Sequence, residues 1–323
     1  MDHAHARRRP GVTRIVRLAV WGLAALASIA GAATEEEASW AKKVAAWSRA
    51  ITDEEKARVA AAIPGKPAIA PARPRKLLIF DLNIGYGGHR SIVYANLAFE
   101  TMGRKTGAYE AVVCHDLSMF SPEKLRQFDA VCFNNTVCFN GTMGRLFEQR
   151  GLKKSLVEFV RGGGGLMGIH GATATFLGWP EYGRMLGAYL AGHPWNRETV
   201  TIKLDDPGHP LNAPFGGQGL QIADEIFQFK APYSRDHLRV LLSLDTAKTD
   251  MKKPGIKRTD NDFAVSWIQS YGKGRVFYCS LGHSPFIFWH PKILRHYLAG
   301  IQFALGDLPA DTRPSSKVAP ARR

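Results

Sequence analysis

Arg161-Gly162-Gly163-Gly164-Gly165-Leu166-Met167-Gly168-Ile169-His170-Gly171-Ala172-Thr173 is the stretch that decides the fold. Its glycine run breaks a preceding helix, and the apolar run that follows has the length of a strand. The run ends in small residues with one polar side chain, His170, at the tip, and a helix-like pattern resumes near Thr173. A buried parallel strand reads this way when it delivers a side chain to the carboxyl edge of an α/β sheet, where such folds bind ligands. Glycine tolerates positive φ and close backbone approach, as a tight strand-to-helix turn requires. A nucleophile elbow has this shape with Ser or Cys at its tip, whereas this chain has His. The competing reading is a core strand that merely ends in histidine.

The flanking sequence supplies the other units of such a sheet. Leu77-Leu78-Ile79-Phe80 is a buried strand, followed by a glycine-rich loop over 83–90 and a helix over 91–102. Strands over 110–114 and 130–133, a short helix over 122–127 and a longer one over 152–161 follow. Strands alternating with helices at this spacing predict parallel βαβ units and a doubly wound α/β sheet. Beyond Pro180 the pattern turns to strands over 199–204, 221–230 and 240–244, then a hairpin of 264–269 with 275–280. Its turn is Ser270-Tyr271-Gly272-Lys273-Gly274. A closing helix runs over 291–305, with proline at its first turn.

The amino terminus divides into two parts. Arg7 to Arg17 form a basic region, Leu18 to Ile29 are almost wholly apolar, and Ala30-Gly31-Ala32 is a small-x-small cleavage site. Residues 1–33 therefore read as a signal peptide, which predicts a periplasmic or secreted protein. The apolar run is short for a membrane span, and no other membrane segment is found. Residues 34–75 read as a helical extension, in which Trp40, Val44, Trp47, Ile51 and Val59 share a face. Thr52-Asp53-Glu54-Glu55 resembles a capping box, and a proline-rich linker completes this part. The main domain spans 76–307. Residues 308–323, rich in Pro, Ser and basic residues, predict a disordered tail.

A hydrophobic fraction of 45% and a charged fraction of 22% are ordinary for a globular protein. Of the net charge of +15, residues 1–33 carry +4 (five arginines against Asp2), which leaves +11 on the remainder. The basic residues are scattered, and no aromatics alternate with them as single-strand binders require, so nucleic acid is not expected as a partner. Cys114, Cys132 and Cys279 sit in strand-like runs as small buried hydrophobes. Cys132 and Cys138 are the pair nearest in sequence for a bridge, and no C-x-x-C is present. A nucleotide cofactor is not expected either. Gly162 to Gly165 precede a strand instead of following one, and no phosphate-cradling G-x-x-x-x-G-K-[ST] occurs.

The candidate chemistry lies in histidines at predicted strand ends. His89, His170 and His283 fit the carboxyl ends of parallel strands best, with His193 and His209 in further loops and Asp224-Glu225 as a carboxylate pair in an apolar run. Imidazoles with a carboxylate serve as acid and base near neutral pH, or bind a divalent transition metal such as zinc. No local metal motif such as H-E-x-x-H exists, so ligands would come from distant loops. Tyr86, Phe176, Trp179, Trp195 and Trp289 are aromatic neighbours that could stack on sugar rings, with core packing as the plainer alternative for each.

Beyond this reading, a set of motifs is shared with a known family. Gly163 to Thr173, Trp179-Pro180-Glu181-Tyr182, Gly192-His193-Pro194, Asp206-Pro207-Gly208-His209-Pro210, Asp224-Glu225-Ile226-Phe227 and Tyr271 to Tyr278 resemble, in order, the ThuA-like family, named for trehalose utilisation. The resemblance implies a flavodoxin-like three-layer sandwich of the class I glutamine amidotransferase type, with a mainly parallel central sheet. In amidotransferases the strand matching 166–169 ends in a catalytic cysteine, and a later one ends in His-Pro-Glu. Here His170 and His283-Ser284-Pro285 stand instead, so glutaminase chemistry is not expected.

The resemblance further implies action on a disaccharide or 3-keto-glycoside made by a partner sugar oxidoreductase. The resulting expectation is an exported, sugar-directed hydrolase or lyase. In it His170, His283 and Glu225 are catalytic or hold a metal, and His89, His193, Trp195 and Tyr86 bind substrate. The alternative is a non-catalytic carbohydrate-binding or scaffold protein on the same fold.

Overall fold

The computed structural model describes Met1 and residues 34–318, so the expected signal peptide lies outside the described residues. Helices α1 (Glu35–Arg49) and α2 (Asp53–Ala62) open the chain. Both start in capping boxes, Thr34 with Glu37 and Thr52 with Glu55, each satisfying two otherwise unpaired N–H groups. They pack on the main domain. Trp40, Val44, Ile51 and Val59 join the main core, and Trp40 Nε1 donates to Asp81 at 3.2 Å.

The first half is built of β1 (Lys76–Phe80), α3 (Ser91–Thr106), β2 (Glu110–Cys114), α4 (Pro122–Leu125), β3 (Ala130–Asn134), α5 (Thr142–Gln149), α6 (Leu152–Arg161) and β4 (Gly165–Ile169). Then come α7 (Pro180–Leu186), β5 (Tyr189–Trp195), β6 (Thr199–Leu204), β7 (Leu220–Ala223), β8 (Ile226–Lys230), β9 (Arg239–Leu244), β10 (Ala264–Tyr271), β11 (Gly274–Cys279) and α8 (Pro291–Leu305). The nine-stranded sheet has the order β2-β1-β3-β4-β11-β10-β9-β6-β7. Its first five strands are parallel and the other four pair antiparallel. The parallel half runs 2-1-3-4-5 with β11 as the fifth strand, the flavodoxin-like order, and its switch point lies between β1 and β3.

Helices cover both faces of the parallel half, with α3 and α8 on one side and α6 and α7 on the other. Strand β4 is buried throughout, and its glycines set how closely the layers approach. A Cβ on Gly165 would lie 2.2 Å from the Ala304 carbonyl oxygen of α8. A Cβ on Gly168, on the opposite face, would lie 2.8 Å from Leu186 of α7.

Several expectations need correction. The helix expected from Thr173 is a 3-10 turn over His170–Thr173, and α7 begins only at Pro180. Residues before proline avoid the helical region, and proline favours the first helical position. The strand expected over 221–230 is two strands, β7 in the main sheet and β8 paired with β5 in a separate two-stranded sheet. Residues 308–318 are not a free tail. Ser315 N–H donates to Leu238 O, Ser315 Oγ accepts from Val240 N at 2.9 Å, and Ser316 N–H donates to Arg235 O. These bonds satisfy backbone groups at the start of β9 and in the turn before it. All four cysteines are free, so Cys132 and Cys138 form no bridge. No helix among the described residues is long and apolar enough to cross a membrane.

Candidate functional site

The carboxyl ends of β1, β3, β4 and β11 adjoin one another, and the loops leaving them carry the candidate residues. His170 follows β4 directly and has φ of 42°, a left-handed conformation that is uncommon outside glycine and often marks a functional turn. The elbow geometry read from the sequence is therefore present with histidine at its tip. The next residue must be glycine, since a Cβ there would meet Val137 Cγ2 at 2.6 Å and Asn135 Oδ1 at 2.7 Å.

His170 is fully buried, and its ring lies 4.2 Å, centroid to centroid, from Phe227. Its Nδ1–H donates to the Ser280 carbonyl at 2.7 Å. In the neutral ring this leaves a lone pair on Nε2, which lies 3.1 Å from Glu225 Oε2 without hydrogen-bond geometry. In that form two electron-rich atoms would face each other in a buried place. A proton or a cation between them would relieve the contact.

Glu225 sits in the break between β7 and β8 and gathers the other imidazoles. Its Oε1 is 3.1 Å from His193 Nδ1 and 4.0 Å from His283 Nε2. Burial pushes the Glu225 carboxyl up, but His170, His283 and His193 outweigh it and hold the group below its ordinary value. His89 comes from the loop after β1. Its Nε2 is 3.2 Å from the Tyr86 hydroxyl, and its buried Nδ1 has no partner. The ring is 5.1 Å from those of both His170 and His283. Burial, reinforced by His170 and His283, pushes His89 down to about 3, so it is neutral at physiological pH. Burial also lowers His283 against the pull of Glu225. The His193 side chain is 49% exposed and opens the cluster to solvent.

The structure thus brings together His89, His170, His193, His283, Glu225 and Tyr86. It does not bring Trp195. That residue, expected to bind substrate, is fully buried, donates through Nε1 to the Asp250 carbonyl at 2.9 Å and packs edge-on against Phe263. It is a core residue. His209 also lies elsewhere, its Nδ1 accepting from Leu211 N–H at the start of a 3-10 turn.

Two residues have supporting roles that the sequence reading did not give them, Asp224, read there only as half of a carboxylate pair, and Asn135. Asp224, fully buried, accepts backbone N–H groups from Gly282 at 2.8 Å, His283 at 3.3 Å and Ser284 at 2.9 Å, and so fixes the loop that carries His283. Asn135 has φ of 54°. It accepts from Gly171 N–H at 3.0 Å and donates to Ser91 Oγ and the Gly282 carbonyl. It therefore ties together the loops after β3, β4 and β11. An asparagine directly after a buried strand, ready for the left-handed region, was the available signal.

Chemically, the cluster offers imidazoles gathered on one carboxylate. One donor atom each from His89, His170 and Glu225 lies within 4.8 Å of the others. Such a set can exchange protons near neutral pH or hold a divalent transition metal. Cys279 is no substitute nucleophile, because burial inside β11 pushes its thiol up to about 12.

Comparison with known proteins agrees with this architecture. Two solved structures of ThuA-like proteins share the fold. One, from Bacteroides uniformis, has a TM-score of 0.58 at 20% identity, covering 79% of this chain and 98% of its own. The other, from Parabacteroides merdae, has a TM-score of 0.53 at 14% identity, covering 76% of this chain and all of its own. No curated protein matches the sequence. The family model described as ThuA, trehalose utilisation, matches residues 76–304, the span that holds every strand of the sheet and every histidine of the cluster, and the chain belongs to that family.

Proposed function

We propose that this protein is an exported, sugar-directed hydrolase or lyase acting on a disaccharide or 3-keto-glycoside. The observation that carries the reading is Glu225, with imidazole nitrogens of His170 and His193 each 3.1 Å from its oxygens and His283 at 4.0 Å. The family's association with trehalose utilisation supports a carbohydrate substrate. The reading of residues 1–33 as a signal peptide supports action outside the cytoplasm.

The chemistry suited to this cluster is elimination from a glycoside oxidised at C3, the carbonyl being supplied by a partner sugar oxidoreductase. The carbonyl acidifies the C2–H bond. One imidazole, His170 or His283, takes that proton, and the electron pair is delocalised into the carbonyl as an enolate. When the pair returns, the C1–C2 double bond forms, the C1–O bond breaks, and the proton taken from C2 passes from the imidazolium, by way of the second imidazole, to the departing oxygen. Glu225 stabilises the imidazolium formed in the first step, while His89 and His193 line the pocket. Catalysis by such placed acids and bases contributes typically 10²–10⁴-fold.

A divalent transition metal such as zinc fits the same residues. His170 Nε2 and His89 Nδ1 are buried without partners, and Glu225 completes the set. The opposite ring nitrogens bond the Ser280 carbonyl and the Tyr86 hydroxyl, as outer partners of metal-bound histidines do. The 3.1 Å between His170 Nε2 and Glu225 Oε2 is near the roughly 3.3 Å separating two ligands of tetrahedral zinc. His283 is a fourth candidate. A bound metal would polarise a sugar carbonyl as a Lewis acid.

Turnover of a 3-keto-disaccharide by the wild type and by His170→Ala tests the proposal. Loss of turnover in the variant is expected. Sugar affinity with no turnover in the wild type would favour a binding protein instead. Elemental analysis before and after chelation tests the metal, and the absence of a co-purifying metal, with no effect of added metal, would refute it.

A further inference from the structure

Nearly every aromatic ring among the described residues is wholly or partly buried. The two exposed ones, Tyr86 at 37% and Phe139 at 54%, stand side by side, ring centroids 5.7 Å apart and planes at 86°. They come from different loops, after β1 and after β3, and so flank the switch point of the parallel sheet. The two loops are locked together. Ile84 N–H donates to the Val137 carbonyl, and the Asn140 side chain occupies the space beside Gly85, where a Cβ would lie 2.3 Å from Asn140 Nδ2. Gly85 has φ of 68°, which places the Tyr86 ring over His89 at 5.3 Å.

We infer that Tyr86 and Phe139 form a stacking platform for the second ring of a disaccharide, next to the His/Glu cluster that holds the reacting ring. The inference rests on the sugar-directed reading above and extends it to a subsite and to a residue, Phe139, with no other evident role. Exposed aromatic area costs solvation unless something covers it, and such area beside a polar cluster marks a ligand site. The covering ligand must match both parts. A pyranose does so, with an apolar C–H face for the aromatic ring and hydroxyls for the neighbouring imidazoles.

The spacing also suits two linked rings. Going inward, the Tyr86 ring lies 5.3 Å from His89, and His89 lies 5.1 Å from His170. A protein partner is a poor fit, because two rings fall far short of the roughly 1,000 Å² that a specific interface needs.

The test is calorimetric titration of trehalose and of glucose into the full-length protein, its Phe139→Ala variant and its Phe139→Trp variant. Phe139→Ala should weaken trehalose binding about threefold to tenfold, the range measured for aromatic contacts, and leave glucose affinity within about twofold. Phe139→Trp should retain or raise trehalose affinity. Phe139 is half exposed, so both variants should keep the wild-type melting temperature, and a matched melt is the control. Equal weakening for both sugars, or no weakening for either, overturns the platform while leaving the sugar-directed reading intact. A change in sedimentation of Phe139→Ala with unchanged sugar affinity assigns the patch to self-association and also overturns it. Failure of the wild type to bind either sugar would overturn the platform, and turnover of a 3-keto-disaccharide by the same protein then decides the sugar-directed reading separately.

Discussion

Replacing Asp224 with asparagine should release the loop that places His283. The Asp224 carboxylate accepts three backbone N–H groups, from Gly282, His283 and Ser284, at 2.8, 3.3 and 2.9 Å, with no exposure to solvent. An amide has one oxygen. Turned to keep the bonds to Gly282 and His283, it sets its NH₂ against the Ser284 N–H, so one charge-assisted bond is lost and one buried donor is left unpaired. Each of those effects is worth roughly 1–3 kcal/mol. Burial pushes the Asp224 carboxyl above its ordinary value, so removing the charge returns part of the loss. The net expectation is a destabilisation of about 2 kcal/mol, read as a lower urea midpoint at unchanged slope. Turnover should fall with it, because His283 loses its fixed position relative to Glu225. A variant within about 0.5 kcal/mol of wild type would refute the view that Asp224 anchors this loop, since that is the range of substitutions at uninvolved surface sites.

Other expectations follow from the core and the amino terminus. His296 is buried, with Nδ1 2.8 Å from the Leu211 carbonyl and Nε2 2.9 Å from Ser266 Oγ, and burial pushes it from 6.5 down to about 4. The unfolded chain therefore takes up a proton below pH 6.5 that the native state refuses until about pH 4, so stability is lost on acidification, by at most about 3 kcal/mol. His296→Gln should flatten urea-derived stability between pH 7 and pH 4, and an unchanged slope would contradict the assignment. Trp195→Phe should cost about 1–2 kcal/mol through its lost bond to Asp250 and leave sugar affinity unchanged, whereas a tenfold weaker affinity would return Trp195 to the binding site. Amino-terminal sequencing of the mature protein should begin at Ala33, one residue before the Thr34 helix cap, and a mature chain retaining Met1 would contradict cleavage at that site.

What was legible in the sequence was local. The β4 run and its glycines announced a buried strand and an elbow because both signals sit within thirteen consecutive residues, and the Thr52 capping box is a four-residue pattern. The histidines could be placed at strand ends for the same reason. Their shared partner could not. Glu225 meets His170 and His283 only because β7 and β8 part at Asp224-Glu225, and an apolar run with two carboxylates reads equally as one strand with a solvent-facing pair. Burial decides the matter, since Asp224 needs three backbone donors that lie more than fifty residues away. Strand β5 was missed because Gly192-His193-Pro194 interrupts its alternation, and its pairing with β8 is correspondingly irregular. The carboxyl-terminal segment misled through composition alone. Pro and Ser predict disorder, yet Ser315 completes backbone bonds at Leu238 and Val240. Trp195 misled in the opposite direction, since its neighbour His193 reaches the site while Trp195 points into the core.

The central claim is that Glu225 and the histidines around it form the reacting centre. Glu225→Gln tests it most directly, because the amide keeps the shape of the side chain and removes the charge that His170, His193 and His283 share. The measurement is kcat/KM on a 3-keto-disaccharide, with thermal stability followed in parallel. The expected result is a loss of about 10²-fold or more with the fold intact. Wild-type turnover by a folded Glu225→Gln protein would contradict the account.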